Sequence, residues 1–267
     1  MIRRPPRSTL DRSSAASDVY KRQQLHVALT WGMRNNTRTA QNVSYYNWED
    51  LFMNLPLIKM DELAGRNLKF WKDWIGHPNY DEYWEKMNVE NQWSEITVPA
   101  LNMGGWYDLY SRDTFTNFNG LIKNAKTPEA KKSKLIVGPW PHPLSLSTIT
   151  GDIDFGPDSM IDLDQLELRW FNYWLKGIDD GILDEPPIKI FIMGINQWRD
   201  ENEWPLKWTE FQNWNLHSNG NANSMFGDGI ISVDLPNQEP IDVFEYDPDN
   251  PVAVSYTHLT LPTSDLV

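Results

Sequence analysis

Residues 98–108 read VPALNMGGWYD, and residues 134–142 read KLIVGPWPH. Each stretch is a short apolar run that ends in glycine, which is typical of a buried strand and the turn after it. Gly104 and Gly105 are expected to form the first of these turns. Between the two stretches, residues 113–123 carry apolar side chains at helical spacing. Strand, helix and strand with short connections predict neighbouring strands of a parallel sheet, and therefore an α/β domain.

The region before this core is rich in aromatic residues. Apolar residues recur at helical spacing over residues 42–95, which prolines interrupt, so this region is expected to form several short helices. One predicted apolar face contains Trp48, Leu51, Phe52 and Leu55. Further upstream, residues 25–31 (LHVALTW) fit either a buried strand or the start of a helix, and periodicity alone leaves both open.

The region after this core begins with a well-marked helix. Asp162 is expected to cap it, with Gln165 at the capping-box position, and Gly177 to end it. Beyond the linker, the segments IKIFIM, WNL, IISV and VFEY are separated by turn residues, which is typical of an all-β sandwich. Residues 188–254 are too few for an eight-stranded jelly roll. The sequence therefore predicts a truncated β domain.

The composition excludes several classes of partner. The chain carries 24 Lys and Arg against 37 Asp and Glu, a formal net charge of −13 at pH 7. So acidic a surface repels phosphate backbones and anionic lipid, so neither nucleic acid nor a membrane is an expected partner. No apolar run approaches the roughly 20 residues of a membrane-spanning helix. Cysteine is absent and the five histidines show no metal-binding spacing, so we expect no metal and no cofactor.

Asp108 and His142 each follow one of the two central strands. Because parallel strands end at the same edge of a sheet, we expect the two side chains to meet there. Such an acid orients the imidazole and stabilises the imidazolium that forms when a serine is deprotonated. Acid before histidine is also the order of α/β-hydrolases, where the serine comes first. Taken singly, a loop aspartate fits a turn former or helix cap equally well, and a lone histidine fits a satisfied surface or core residue.

The same motifs resemble a known family. The segments GGWYD, LIVGPWPH, LRWFNYWLKGIDDGI and EPPIKIFIMGINQWRDENEWP are similar to the CocE/NonD hydrolases, relatives of cocaine esterase, α-amino-acid ester hydrolases and bacterial Xaa-Pro dipeptidyl-peptidases. The resemblance implies a partial α/β-hydrolase fold with a helical cap, followed by a jelly-roll domain. It also implies that Asp108 is the acid, and His142 the base, of a catalytic triad.

The resemblance bears on the substrate as well. Trp106, Tyr107 and Trp140 adjoin the two triad candidates and are the candidate substrate-binding residues. The α-amino-acid ester hydrolases bind a substrate ammonium through carboxylates just past the triad acid, whereas residues 109–111 here read LYS. Hydrolysis of a small-molecule ester is therefore favoured. The alternatives are an Xaa-Pro dipeptidyl-peptidase acting on short peptides and, from another class, a non-catalytic carbohydrate-binding protein with a jelly-roll module.

The triad serine is expected to lie outside this sequence. The chain contains no G-x-S-x-G nucleophile elbow, and in the family the nucleophile lies upstream. We therefore expect a fragment that is inactive alone. Residues 1–23 and 255–267 resemble translated sequencing adapters and are expected to be non-native. The predicted organisation is the end of a central α/β-hydrolase segment over 24–41, a helical cap over 42–95, the C-terminal half of the α/β-hydrolase domain over 96–182 and the start of a jelly roll over 183–254.

Overall fold

The computed structural model describes residues 25–245, apart from residues 53, 143, 145, 146 and 225. The chain divides into two units, the first ending at Asn202 and the second beginning at Glu203. The segments 1–23 and 255–267, which are predicted to be non-native, lie outside the described residues. No helix in the described part of the chain is long and apolar enough to span a membrane.

Short helices precede the central sheet, as the spacing of apolar residues predicts. They are α1 (Leu25–Asn35), α2 (Trp48–Phe52), α3 (Met60–Leu63), α4 (Lys69–Gly76) and α5 (Glu82–Glu85), with 3-10 turns at Leu57–Lys59, Val89–Asn91 and Trp93–Glu95. Residues 25–31, whose spacing fits either a strand or a helix, thus lie in helix α1. It packs on the later helices through one hydrophobic cluster of Ala28, Leu29, Met33, Met60, Leu68, Trp71, Trp74 and Trp84. Helix α1, which lies within the segment 24–41 expected to end the α/β-hydrolase segment, accordingly packs with the predicted cap.

Buried tryptophans hold this helical cluster together. Trp71 and Trp84 are almost fully buried. The indole N–H of Trp71 donates to the carbonyl of Leu57 at 3.0 Å, and that of Trp84 donates to the carbonyl of His77 at 2.8 Å. Each ring is therefore buried without leaving its one polar atom unpaired.

Leu55 does not share the apolar face predicted for it. Helix α2 ends at Phe52, so Leu55 lies beyond the helix and is 81% exposed, whereas Leu51 is buried. Leu55 precedes Pro56, and the residue before a proline is disfavoured from helical backbone angles. The helical spacing therefore ends before this position.

A mixed sheet forms the centre of the first unit. The strands in chain order are β1 (Leu101–Gly105), β2 (Lys134–Gly138), β3 (Ile149–Thr150), β4 (Ile153–Asp154), β5 (Ile188–Ile192) and β6 (Gln197–Glu201). Within the described residues, the central sheet has the order β1-β2-β5-β6, and β3 pairs with β4 separately. Strands β1, β2 and β5 run parallel, while β6 is antiparallel to β5. Helix α6 (Ser111–Asn124) joins β1 to β2, which confirms the predicted strand, helix and strand.

The pattern of the segment IKIFIM predicts the start of a separate sandwich, but the segment belongs to the central sheet. It forms β5, which pairs in parallel with β2, for example Leu135 opposite Ile188. Ile188, Ile190 and Phe191 are almost fully buried. A strand buried on both faces of an α/β sheet has the same apolar run as a sandwich strand, so the pattern alone does not distinguish them. The predicted domain start at residue 183 consequently falls within the first unit.

Helix α7 (Leu163–Lys176) begins and ends as predicted. The side chain of Asp162 accepts a hydrogen bond from the backbone N–H of Gln165 at 2.9 Å, which caps the first turn. Gly177 ends the helix with a positive φ of 68°, a conformation that glycine adopts without a steric penalty.

The second unit contains one hairpin among its described residues. Strands β7 (Asn215–His217) and β8 (Ile230–Ser232) pair antiparallel. They correspond to the WNL and IISV segments that were predicted as strands. Residues 243–245 of the VFEY segment are not in a strand.

Candidate active site

The ends of β1 and β2 bring the two predicted triad residues to one edge of the sheet. The strands are parallel and in register, with Gly105 opposite Gly138. Asp108 follows three residues after the end of β1, and His142 follows four residues after the end of β2. Both side chains therefore sit where parallel sheets commonly place their functional groups.

Backbone hydrogen bonds tie the two loops together. The N–H of Trp106 donates to the carbonyl of Gly138 at 2.9 Å, and the N–H of Tyr107 donates to the carbonyl of Trp140 at 3.2 Å. At Gly105, a Cβ atom would lie 1.9 Å from the same Trp140 carbonyl oxygen. The glycine is required here by the close approach of two backbones, and it belongs to β1 rather than to the turn that the sequence predicts.

Asp108 and His142 lie within hydrogen-bond distance. The Nδ1 atom of His142 is 3.2 Å from Oδ2 and 3.3 Å from Oδ1 of Asp108. The aspartate side chain is 7% exposed and the histidine side chain 64% exposed. A carboxylate at Nδ1 favours the tautomer with the proton on Nδ1, which leaves Nε2 as a free base. The arrangement is therefore a buried carboxylate in contact with a solvent-accessible imidazole.

Tyr110 supports both members of the pair, a role that the sequence reasoning missed. Its backbone N–H donates to Oδ1 of Asp108 at 2.9 Å. Its ring meets the imidazole of His142 edge-on, with the ring centres 5.2 Å apart. The signal in the sequence was the aspartate itself, because aspartate side chains commonly accept the backbone N–H two residues on.

Trp140 is almost fully buried in this structure, and its role in substrate binding stays a prediction. Its side chain is only 1% exposed, and its indole N–H donates to the carbonyl of Ser159 at 3.2 Å. Its ring also lies against Gly138, where a Cβ atom would be 2.3 Å from the indole. Its contacts therefore anchor the loop that carries His142.

Trp106 and Tyr107 are half-buried beside Asp108. The indole of Trp106 donates to the carbonyl of Phe191 at 2.7 Å and stacks on Phe115. The ring of Tyr107 packs near Phe155, and burial raises the pKa of its phenol. Both side chains thus anchor the loop, and their role in substrate binding stays a prediction.

No metal-binding cluster stands near these residues. Among the described side chains, no group of three or more His, Asp or Glu residues could hold a metal ion, and the chain has no cysteine. The chemistry available at this edge is that of a carboxylate and an imidazole.

Known proteins are similar to this chain in sequence. The profile of the X-Pro dipeptidyl-peptidase (S15 family) matches residues 11–143, a span that includes both Asp108 and His142. Cocaine esterase from Rhodococcus sp. (strain MB1 Bresler) is 32% identical over 184 residues, which cover 67% of this chain and 30% of that protein. The chain thus spans about a third of the length of this relative.

A solved structure also shares the fold. The crystal structure of an aminopeptidase from the marine sediment archaeon Thaumarchaeota archaeon gives a TM-score of 0.54 at 21% identity, over 80% of this chain and 35% of that chain. The central sheet and its helices accordingly have an α/β architecture found in a known hydrolase. The sequence matches support membership of the CocE/NonD family of serine hydrolases, while the structural likeness shows the fold alone.

Proposed function

We propose that the chain supplies the acid and the base of a Ser-His-Asp triad in an acyl hydrolase that favours esters. The observation that carries the proposal is the contact of the buried Asp108 carboxylate with Nδ1 of His142 at 3.2 Å. Membership of a serine hydrolase family supports the same roles. The similarity to cocaine esterase supports ester hydrolysis, and the absence of a carboxylate at residues 109–111 disfavours a pocket for a substrate ammonium.

In this mechanism His142 moves the proton. Its Nε2 atom takes the proton from the serine hydroxyl as the oxygen attacks the ester carbonyl. The imidazolium that forms is stabilised by Asp108 and then protonates the leaving alcohol. Water hydrolyses the acyl-serine by the same route. Because Asp108 is buried and bonded by the backbone of Tyr110, its carboxylate stays in place through both steps.

The nucleophile comes from a segment other than these 267 residues, which contain no G-x-S-x-G. We propose that the chain alone has no activity through the Asp108–His142 pair. A triad that loses one member retains at most a small residual rate.

We also propose that the second unit is part of a β-sandwich domain, on the basis of the β7–β8 hairpin. The family match does not favour the non-catalytic carbohydrate-binding alternative.

A chimera tests the triad assignment. Residues 25–245 would be joined to the part of cocaine esterase that precedes its match to this chain, and hydrolysis of 4-nitrophenyl butyrate would be measured. We expect His142→Ala to lower kcat by at least about 10³-fold, because the serine then lacks its base.

His77→Ala is the matched control. His77 contacts Asp81 at 2.7 Å in the helical region, so it is another histidine paired with an aspartate. Its removal is expected to leave kcat unchanged. Full activity of a folded His142→Ala chimera, as judged by circular dichroism, would remove His142 from the mechanism.

A further inference from the structure

The second unit holds a serine and a histidine on one face of its hairpin. Asn215 pairs with Ser232, and His217 pairs with Ile230. Asn215 and His217 are two positions apart, so their side chains lie on the same face of β7, and each shares that face with the residue it pairs with on β8. His217 and Ser232 are therefore diagonal neighbours on one face of the hairpin. The Oγ atom of Ser232 lies 3.0 Å from Nε2 of His217. The register of the hairpin therefore places a hydroxyl against an imidazole.

A glutamate completes a chain of three groups. Oε1 of Glu239 lies 2.7 Å from Nδ1 of His217, and Oε2 accepts the backbone N–H of Ser218 at 3.2 Å. The carboxylate is thus held at both oxygens. The hydrogen bond from His217 lowers the pKa of Glu239, which keeps the carboxylate ionised. The side chain of His217 is 12% exposed, so its position is fixed by its surroundings.

The three groups can act together only when His217 is neutral. With neutral His217, the Nδ1 proton goes to Glu239 and Nε2 can only accept, for which Ser232 is the available donor. The carbonyl of Asp234 also lies 3.1 Å from Nε2, but a carbonyl has no proton to donate to an unprotonated Nε2. A protonated Nε2 would donate to the carbonyl of Asp234 and could no longer accept a proton from Ser232.

A cavity of about 290 Å³ lies beside these groups. His217 and Ser232 line it, and the other lining residues include Asn219, Asp228, Leu235 and Asn237. Its size suits a small ligand, and its acidic residues disfavour an anion.

We propose that Ser232 is a nucleophile for short, neutral acyl esters, with His217 as its base and Glu239 as the residue that positions His217. The Ser232 oxygen forms a bond to the acyl carbon while its proton passes to Nε2 of His217. The bond from that carbon to the alcohol oxygen breaks, and His217 returns the proton to the alcohol. Water then releases the acid and restores the hydroxyl. This site is independent of the Asp108–His142 pair.

The experiment uses the full chain and 4-nitrophenyl acetate. Release of 4-nitrophenolate is followed with time, and the acetylated peptide is located by mass spectrometry. We expect the acetyl group on Ser232, a loss of this adduct in Ser232→Ala, and a rate lower by about 100-fold in His217→Ala. Ser224→Ala is the control, since Ser224 is exposed in the same unit, and it should react like the unaltered chain.

The pH profile and a conservative variant separate chemistry from structure. The acidic groups around His217 are Glu239 itself, Asp228 and Asp234 in the cavity wall, and Asp242, which acts on Glu239. Because only a neutral imidazole can accept the serine proton, acetylation should be slower in acid and faster as the pH rises. Glu239→Gln should slow it and Glu239→Asp should restore part of the rate.

Two results would overturn the proposal. One is an adduct found on another residue, or no adduct, in the unaltered chain, a result that does not depend on any variant folding. The other is a His217→Ala chain that is acetylated at Ser232 as fast as the unaltered one.

Discussion

The two histidine and carboxylate pairs in the two units differ in which partner is buried. In the first unit the acid is 7% exposed and the histidine 64% exposed. In the second unit the order is reversed, with His217 12% exposed and Glu239 28% exposed. A base that receives a proton from another segment has to be accessible, whereas a base that serves a serine on its own hairpin does not. Under the two proposals above, the more exposed histidine is the one whose serine lies on another segment.

The pairs also differ in what holds the acid. Asp108 is bonded by the backbone N–H of Tyr110, two residues on, so its position depends on one loop. Glu239 is bonded by the backbone of Ser218, which is distant in sequence, so its position depends on the fold of the whole hairpin. Substitutions should therefore affect the first pair through its chemistry and the second pair partly through its stability.

The largest effect is expected at the acid of the first pair. In the cocaine esterase chimera, Asp108→Asn should lower kcat by about 10⁴-fold, because an amide can hold the imidazole in the wrong tautomer. The measurement is the rate of 4-nitrophenyl butyrate hydrolysis at saturating substrate. Asp81→Asn, at another aspartate whose side chain contacts a histidine, is the control and should leave kcat unaltered.

A substitution that disturbs the close approach of Gly105 to the Trp140 carbonyl should have the next largest effect. Gly105→Ala would place a Cβ atom 1.9 Å from the Trp140 carbonyl oxygen, which is backbone and has little freedom to move. We expect a loss of about 3 kcal/mol in the free energy of unfolding of the first unit, by urea titration. Gly76→Ala is the matched control, since nothing lies within 4 Å of its added methyl group. Equal stability of the two variants would contradict the close approach of the loops.

The cap of α7 should have a smaller effect. Asp162→Ala removes the acceptor for the backbone N–H of Gln165 and should lower the free energy of unfolding by about 1 kcal/mol. Asp164→Ala, in the first turn of the same helix, should cost less, since Asp164 is not the capping residue. The two variants would be compared by thermal unfolding.

The smallest effect concerns acid stability in the second unit. The hydrogen bond from His217 lowers the pKa of Glu239 below its ordinary value of 4.5. The carboxylate therefore contributes stability that is present above pH 4.5 and is lost as the pH falls through its folded value. Glu239→Gln should remove this dependence. The amide signals of β7 and β8 followed from about pH 6 to pH 3 would show it, and an unchanged acid transition would contradict it.

Local features of the fold could be predicted from the sequence. The cap at Asp162, the ending at Gly177 and the strands that precede Asp108 and His142 follow from rules that involve a few neighbouring residues. Their predicted positions are accordingly close to the observed ones.

Features set by distant contacts could not be predicted in the same way. The apolar run of β5 fits a sandwich strand as well as a sheet strand, and only its pairing with β2 decides between them. Trp140 adjoins the loop of His142 in sequence, yet proximity in the chain does not say which way a side chain points. Ser232 and His217 are 15 residues apart, and their contact depends on the register of the hairpin.

The tautomer of His142 tests the central claim most directly. Long-range ¹H–¹⁵N correlation spectra of the chain at about pH 8.5, above the usual titration range of histidine, report which ring nitrogen carries the proton. We predict a proton on Nδ1 of His142 in the unaltered chain and a loss of that preference in Asp108→Ala, with no such change in Asp81→Ala. A proton on Nε2 in the unaltered chain, or a tautomer that is indifferent to Asp108, would contradict the assignment of this pair.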